Sequence, residues 1–264
     1  MGRKLDRQNH VEVTGMVLVS GGIGEYDRRI ELLTKERGRI SAFAKGARKP
    51  NSALVGATTP FVFGKFTLYA GRNSYTLIHA EVENYFSELR TDIEGAYYGF
   101  YFLEMASYYT REGSDGTQML KLLYQSFRAL IKNSISNALI RCIFELKAMT
   151  IEGEGPQVMQ CVSCGEKEFL HTEKTTTFDS PKGGVLCPQC FKQNMNSGYC
   201  YPVDTSTLYT MQYIVCSSIE KLYTFTVNTQ VLERLQVILQ QYMSQYIDRS
   251  FKSLEMLEVI TRDT

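Results

Sequence analysis

The chain has 264 residues, 44% of them hydrophobic and 22% charged, a composition that fits an ordinary globular protein and excludes a disordered segment or a coiled coil. Its formal charge of +1 hides an asymmetry: residues 1 to 80 hold 13 Lys and Arg against 6 Asp and Glu, a net of +7, so the remainder carries −6. A basic part joined to an acidic one points to a polyanionic partner for the first part, the alternative being an undirected drift of surface charge.

At the N-terminus, "MGRKLDRQNH" has basic residues with no apolar segment behind them, which does not fit a secretory signal. Asp6 stands where a myristoylation motif needs Ser or Thr. No run approaches the roughly 20 apolar residues of a membrane span. The expectation is a cytosolic protein.

From residue 11 the pattern is that of strands. "VEVTGMVLVS" alternates Val11, Val13, Val17 and Val19 onto one face, and "RRIELLT", "RISAFAK", "FVFGKFTLYA" and "SYTLIHAEVENYF" follow. Breaks fall at Gly21-Gly22, Gly38, Pro50, Pro60 and Gly71-Arg72-Asn73. Five short strands at this spacing predict a small antiparallel barrel of the OB type over residues 1–86. The "GGIGEYD" loop lacks the third glycine and the following helix of a dinucleotide fingerprint.

After about residue 91 the period becomes helical. Thr91 and Asp92 are plausible N-caps for a helix that stops by Gly113; "TQMLKLLYQSFRALIKNS" and "SNALIRCIFELKAMTIEGEGP" predict two more. Helices resume in "TSTLYTMQYIVCSSIEKL" and in "NTQVLERLQVILQQYMSQYIDRSFKSLEML". Short breaks imply antiparallel neighbours, and the Tyr and Phe stripes read as core. The predicted class is therefore α+β: an OB-fold barrel (1–86) followed by an all-helical domain (87–264). A loop-rich insert at about 158–195 interrupts the helices.

That insert holds the most specific motif. "CVSC", Cys161 and Cys164, is followed after 22 residues by "CPQC", Cys187 and Cys190. Two Cys-x-x-Cys knuckles supply four thiolates, which suits one tetrahedral Zn2+; with no open coordination position the ion would be structural. Gly165 and Gly183-Gly184 supply the turns. Seven cysteines in a cytosolic chain argue against disulfides, and a redox dithiol would need a βαβ context that the pattern lacks. His171, between the knuckles, reads as a loop histidine rather than a ligand.

Nothing recommends an enzyme. The three histidines, His10, His79 and His171, lie in unrelated contexts. Gly-x-Ser-x-Gly, a P-loop and His-Glu-x-x-His are absent, and no carboxylates cluster for two-metal chemistry. Glu152 and Glu154 beside the first knuckle read as solvated loop residues.

The basic excess concentrates between residues 28 and 49: Arg28, Arg29, Lys35, Arg37, Arg39, Lys45, Arg48 and Lys49, against Glu31 and Glu36. These cations fall at strand ends and turns, where an open barrel contacts phosphates, and Phe43, Phe63, Tyr69 and Tyr75 are candidates either for base stacking or for burial. "GEYDRRIELLTKERGRISAFAKGARKPNS", "PF" at 60–61, "LYAGR" at 68–72 and "YTLIHAEV" at 75–82 resemble the barrel of the bacterial recombination mediator family RecO. "FDSPKGGVLCPQC" and "YIDRSFKSLEML" resemble the family's second knuckle and C-terminal helix; the middle helices resemble it in architecture alone. Thr59 departs from the glutamine that many relatives carry before Pro-Phe.

The resemblance implies a non-enzymatic protein of the bacterial nucleoid. It would bind single- and double-stranded DNA, anneal complementary strands, and with RecR help load the recombinase RecA. It would also bind the C-terminal tail of single-strand binding protein. By position it implies Lys45, Arg48 and Lys49 as phosphate contacts with Arg37 and Arg39 nearby; Arg28 completes the candidate DNA-binding set. An RNA-binding or transcription-associated module is the alternative, since basic barrels and zinc ribbons occur there too.

Overall fold

The computed structural model describes residues 9–72, 74–171, 176–193 and 199–262. Arg3, Lys4 and Arg7, part of the N-terminal basic excess, lie outside the described residues, as do the side chain of His171 and residues 194 and 195 of the insert. The chain divides into two compact units, Met1–Phe127 with Phe251–Thr264, and Arg128–Ser250.

The first unit opens with β1 (His10–Ile23), β2 (Asp27–Thr34), β3 (Gly38–Ala44), β4 (Phe63–Ala70) and β5 (Tyr75–Asn84). They close into a barrel in the order β1-β2-β3-β5-β4, with β3 and β5 parallel and the other pairs antiparallel. The alternation explains the closure. Side chains two apart share a face, so Ile30 and Leu32, Ile40, Ala42 and Ala44, and Phe66 and Leu68 all point inward and are buried. β1 does not keep one face throughout. It pairs with β4 along its first half and β2 along its second, and a bulge between Val17 and Val19 flips the alternation. Val13 and Val17 are therefore buried while Val19 is 46% exposed.

A single turn of helix, α1 (Leu54–Ala57), joins β3 to β4. After it comes Phe61, buried at a φ of +75°, its N–H donating to Val17 O (3.1 Å). Two helices follow the barrel, α2 (Ile93–Tyr109) and α3 (Thr117–Lys132), and the boundary between units falls within α3. Phe61 packs against Phe100 (ring centroids 4.7 Å apart) and Phe127 (5.4 Å), and Phe86 lies edge-on to Tyr124 and Phe127. Gly99 makes this possible: a Cβ there would stand 2.9 Å from Phe61 Cε1. Asp92 occupies the cap position of α2, but its side chain makes no cap hydrogen bond.

The second unit contains α4 (Asn137–Ile151), β6 (Thr176–Asp179), β7 (Gly184–Leu186), α5 (Pro188–Gln193), β8 (Cys200–Val203), α6 (Thr205–Cys216) and α7 (Thr229–Met243). Ser136, Asp204 and Asn228 cap α4, α6 and α7 by accepting from backbone N–H groups in the first turn. These three helices pack on one another. The strands form an antiparallel sheet in the order β7-β6-β8, and Phe178 of β6 is buried edge-on against Tyr242 of α7 (5.6 Å). The Tyr242 hydroxyl donates to Glu154 O (2.8 Å).

The stretch expected to be helical over 228–257 divides into two helices. The chain leaves the helical path after Met243, and α8 (Lys252–Arg262) belongs to the first unit, packed on α2. Phe251 lies edge-on to Tyr101 (5.4 Å), and Ser253 Oγ donates to Glu104 Oε1 (3.0 Å). Burial of Phe251 against α2 outweighs continuation of an exposed helix. Among the described residues no helix is long and apolar enough to cross a membrane.

Candidate nucleic-acid interface and four-cysteine site

The turn after β3 is tied down at its backbone and open at its charges. Gly46 adopts a φ of +67°, a left-handed conformation that favours glycine. Its N–H donates to Asp27 Oδ1 (2.7 Å), and the N–H of Arg48 donates to Tyr26 O (2.9 Å), so the turn docks on the β1–β2 hairpin turn. Ala47 is buried in the barrel core. Lys45, Arg48 and Lys49 are exposed. Arg48 reaches Gly24 O (3.1 Å), and Lys49 Nζ stands 5.5 Å from the centroid of the Tyr26 ring. Three cations are thus presented on a backbone that need not be ordered again when a phosphate arrives.

The other three predicted cations are placed differently. The Arg28 guanidinium donates from one nitrogen to Val55 O and Thr58 Oγ1 (2.9 Å each), which ties α1 to the barrel. Arg39 pairs with Glu31 (2.9 Å) and donates from Nε to Thr110 O (3.0 Å). Arg37 donates to the Tyr75 hydroxyl (3.3 Å) with its guanidinium 6.0 Å from that ring's centroid. It precedes β3 while Lys45 follows it, and a seven-residue strand separates the two by about 24 Å.

Among the aromatics considered for stacking, Phe63 packs edge-on to Tyr124 (4.9 Å), Tyr69 lies edge-on to His10, and Tyr75 packs on the barrel core. Phe43 is exposed. Tyr26, exposed beside Lys49, is a residue that sequence reasoning did not single out. The available signal was an aromatic inside a turn, where Gly, Asn and Asp usually stand.

In the second unit the two knuckles meet. The Sγ atoms of Cys161, Cys164, Cys187 and Cys190 all lie within 4.8 Å of one another, and Cys164 and Cys187 are 3.7 Å apart. A tetrahedral Zn2+ with Zn–S of about 2.3 Å needs S···S of about 3.8 Å, so the four thiols fit such an ion. The N–H of Val162 donates to Val185 O (2.8 Å), holding one knuckle to the strand that leads into the other. Burial pushes the Cys161 thiol up, but the N–H groups of Cys187, Cys164 and Ser163 outweigh it and lower its pKa to about 6. The Cys190 thiol, hydrogen-bonded to its neighbours, is pushed up to about 12.

A closed five-stranded barrel of the OB type, followed by helices that carry a four-cysteine metal-type site, defines the architectural class. Comparison with known proteins narrows it. The family model described as "Recombination protein O N terminal" matches residues 9–86, and "Recombination protein O C terminal" matches residues 90–255. "DNA repair protein RecO" of Alkaliphilus metalliredigens is 32% identical over 251 residues, covering 95% of this chain and 99% of the relative. The protein of the same name from Acetivibrio thermocellus is 28% identical over 254 residues, covering 96% and 98%. The chain belongs to the RecO family of DNA repair proteins.

Proposed function

We propose that the chain is a non-enzymatic mediator of DNA repair and recombination, working in the bacterial cytoplasm at the nucleoid. Residues 1–86 form its DNA-binding domain, and residues 87–264 a helical domain carrying the ribbon. It binds single- and double-stranded DNA, anneals complementary strands, and with RecR helps load RecA onto DNA coated by single-strand binding protein, whose C-terminal tail it also contacts. The observation that carries the reading is the exposed trio Lys45, Arg48 and Lys49 on a turn locked to the barrel by Asp27 and Tyr26.

The physics follows from those residues. Cations at the turn neutralise phosphates and release counterions, so binding is sequence-independent and salt-sensitive. Neutralised strands approach one another with less repulsion, which favours annealing without nucleotide hydrolysis. Arg28 and Arg39, engaged by Val55, Thr58 and Glu31, and Arg37, about 24 Å along β3, are secondary candidates for phosphate contact. Cys161, Cys164, Cys187 and Cys190 would hold one Zn2+, which crosslinks the ribbon and leaves no position open for substrate.

Fluorescence anisotropy of a labelled 30-mer across a salt series, with DNA and RNA compared, tests the reading. Contact with about four to six phosphates of a single strand gives log K against log salt a slope of about −3 to −4. Absence of binding at low salt, or a slope near zero, overturns it; preference for RNA favours a transcription-associated role instead.

A further inference from the structure

We propose that the outer face of β2 and β3, with the β1–β2 turn, is a base-stacking track for single-stranded DNA whose two aromatic platforms are Phe43 and Tyr26. The inference rests on the DNA-binding reading above and adds what selects the strand.

Phe43 lies between Ala42 and Ala44, both fully buried, so its ring points away from the barrel, and it is 38% exposed. Its place in the sheet is defined by register. Gly21 pairs with Arg29, Arg29 with Phe43, and Phe43 with Thr76, one row across four strands. With strands about 4.8 Å apart the row is about 14 Å long. Arg29 is exposed and held along this face by its Nε–H bond to Ser41 Oγ (2.9 Å). On the far side of Arg29, nothing lies within 4 Å of where a Cβ on Gly21 would stand, so the row is open there. The row therefore offers an aromatic face, an adjacent cation and free space.

Tyr26 repeats the arrangement in the turn that ends this part of the sheet. It is 45% exposed, and Lys49 lies over its ring. Each platform thus has its own cation, Arg29 for Phe43 and Lys49 for Tyr26. Alternating aromatic and cationic groups are what a single strand requires, since the rings take bases and the cations take phosphates. The outer face of the second and third strands and the loop between the first two is also where barrels of this type bind oligonucleotides.

In a duplex the faces of the bases are covered by their neighbours, and exposing one costs unstacking and unpairing. Duplex DNA can therefore use Lys45, Arg48 and Lys49 but not the rings. A strand held by its base faces keeps its hydrogen-bonding edges free to meet a complement. Pairing then restacks the bases on one another and withdraws them from Phe43 and Tyr26, so the platforms favour the reactant of annealing over its product.

The chain has no tryptophan, so F43W and Y26W each create a single-tryptophan reporter. Each is titrated with oligo-dT 30-mer and with a 30-base-pair duplex, following indole emission alongside the anisotropy of the labelled DNA. The expected result is quenching by the single strand and none by the duplex, with both DNAs bound. F43A and Y26A are expected to weaken single-strand binding about tenfold each and to leave duplex binding within about twofold, with F43W restoring affinity. Single-strand binding without quenching, or equal weakening for both DNAs, overturns the inference and leaves the DNA-binding reading intact. Failure of the wild-type chain to bind either DNA overturns both.

Discussion

Arg28 and the Lys45–Lys49 turn are both cationic and close in sequence, yet the structure gives them separable consequences. Replacing Lys45, Arg48 and Lys49 together with alanine removes three exposed charges and, with them, only the surface contacts of Arg48 with Gly24 O and of Lys49 with the Tyr26 ring. If each meets one phosphate of a single strand, the log–log salt slope should flatten by about 2, at roughly 0.7 per contact. Between 50 and 200 mM salt the wild type should then lose about 20-fold more affinity than the triple variant. The variant's melting temperature should stay close to that of the wild type.

Arg28→Ala should do the reverse. It deletes a donor that serves Val55 O and Thr58 Oγ1 and leaves the half-buried Val55 carbonyl and the buried Thr58 hydroxyl each short of a partner. Two hydrogen bonds from a charged group correspond to about 2–4 kcal/mol of stability. For a chain of this size that is a fall in melting temperature of roughly 5–15 °C. The salt slope should change little, because this guanidinium is engaged within the protein. Thermal melting by circular dichroism and the anisotropy salt series measure both quantities on the same preparations. An Arg28→Ala protein that melts like the wild type and flattens the slope as much as the triple variant would falsify this division of roles.

Three further outcomes are expected. Gly99→Ala gains about 1 kcal/mol of helix propensity but drives a methyl to 2.9 Å from Phe61 Cε1, in a ring cluster with little room, at an overpacking cost of about 1–3 kcal/mol. Its melting temperature should fall, Phe61→Leu in the same background should relieve the clash, and a rise instead would refute the packing. Chelation should release one zinc per chain, measured by atomic emission, and make the ribbon sensitive to protease; unchanged proteolysis after confirmed metal removal speaks against a structural ion. Lys147, whose buried ammonium donates to Val215 O (2.9 Å) and Ser217 O (2.7 Å) at the end of α6, should cost about 2–4 kcal/mol when replaced by methionine; an unaltered urea midpoint would exclude that capping role.

What the sequence by itself determined is what depends on local period and spacing. A strand needs only alternation, so all five barrel strands were legible from their runs of Val, Ile, Leu and Phe. Two Cys-x-x-Cys pairs announce a shared site because each turn already presents two thiols, and the structure brings the four sulfurs within 4.8 Å. The bulge in β1 was not legible, because it arises where one strand must serve two partners, and it moved Val19 from the expected inner face to the outside.

Tertiary structure alone decided where the chain turns after Met243, since the apolar spacing of 252–257 is compatible with continuing α7, and contacts across about 150 residues of sequence, Phe251 on Tyr101 and Ser253 on Glu104, send α8 to α2. It also decided which cations remain open. Arg28 and Lys45 look equivalent as letters because charge is a local property. Whether a charge is engaged depends on acceptors delivered by distant segments, Val55 and Thr58 for Arg28, and Glu31 together with Thr110 for Arg39. Tyr26 escaped notice for the same reason: its exposure, and the lysine above it, exist only once the turn after β3 has docked beside the hairpin.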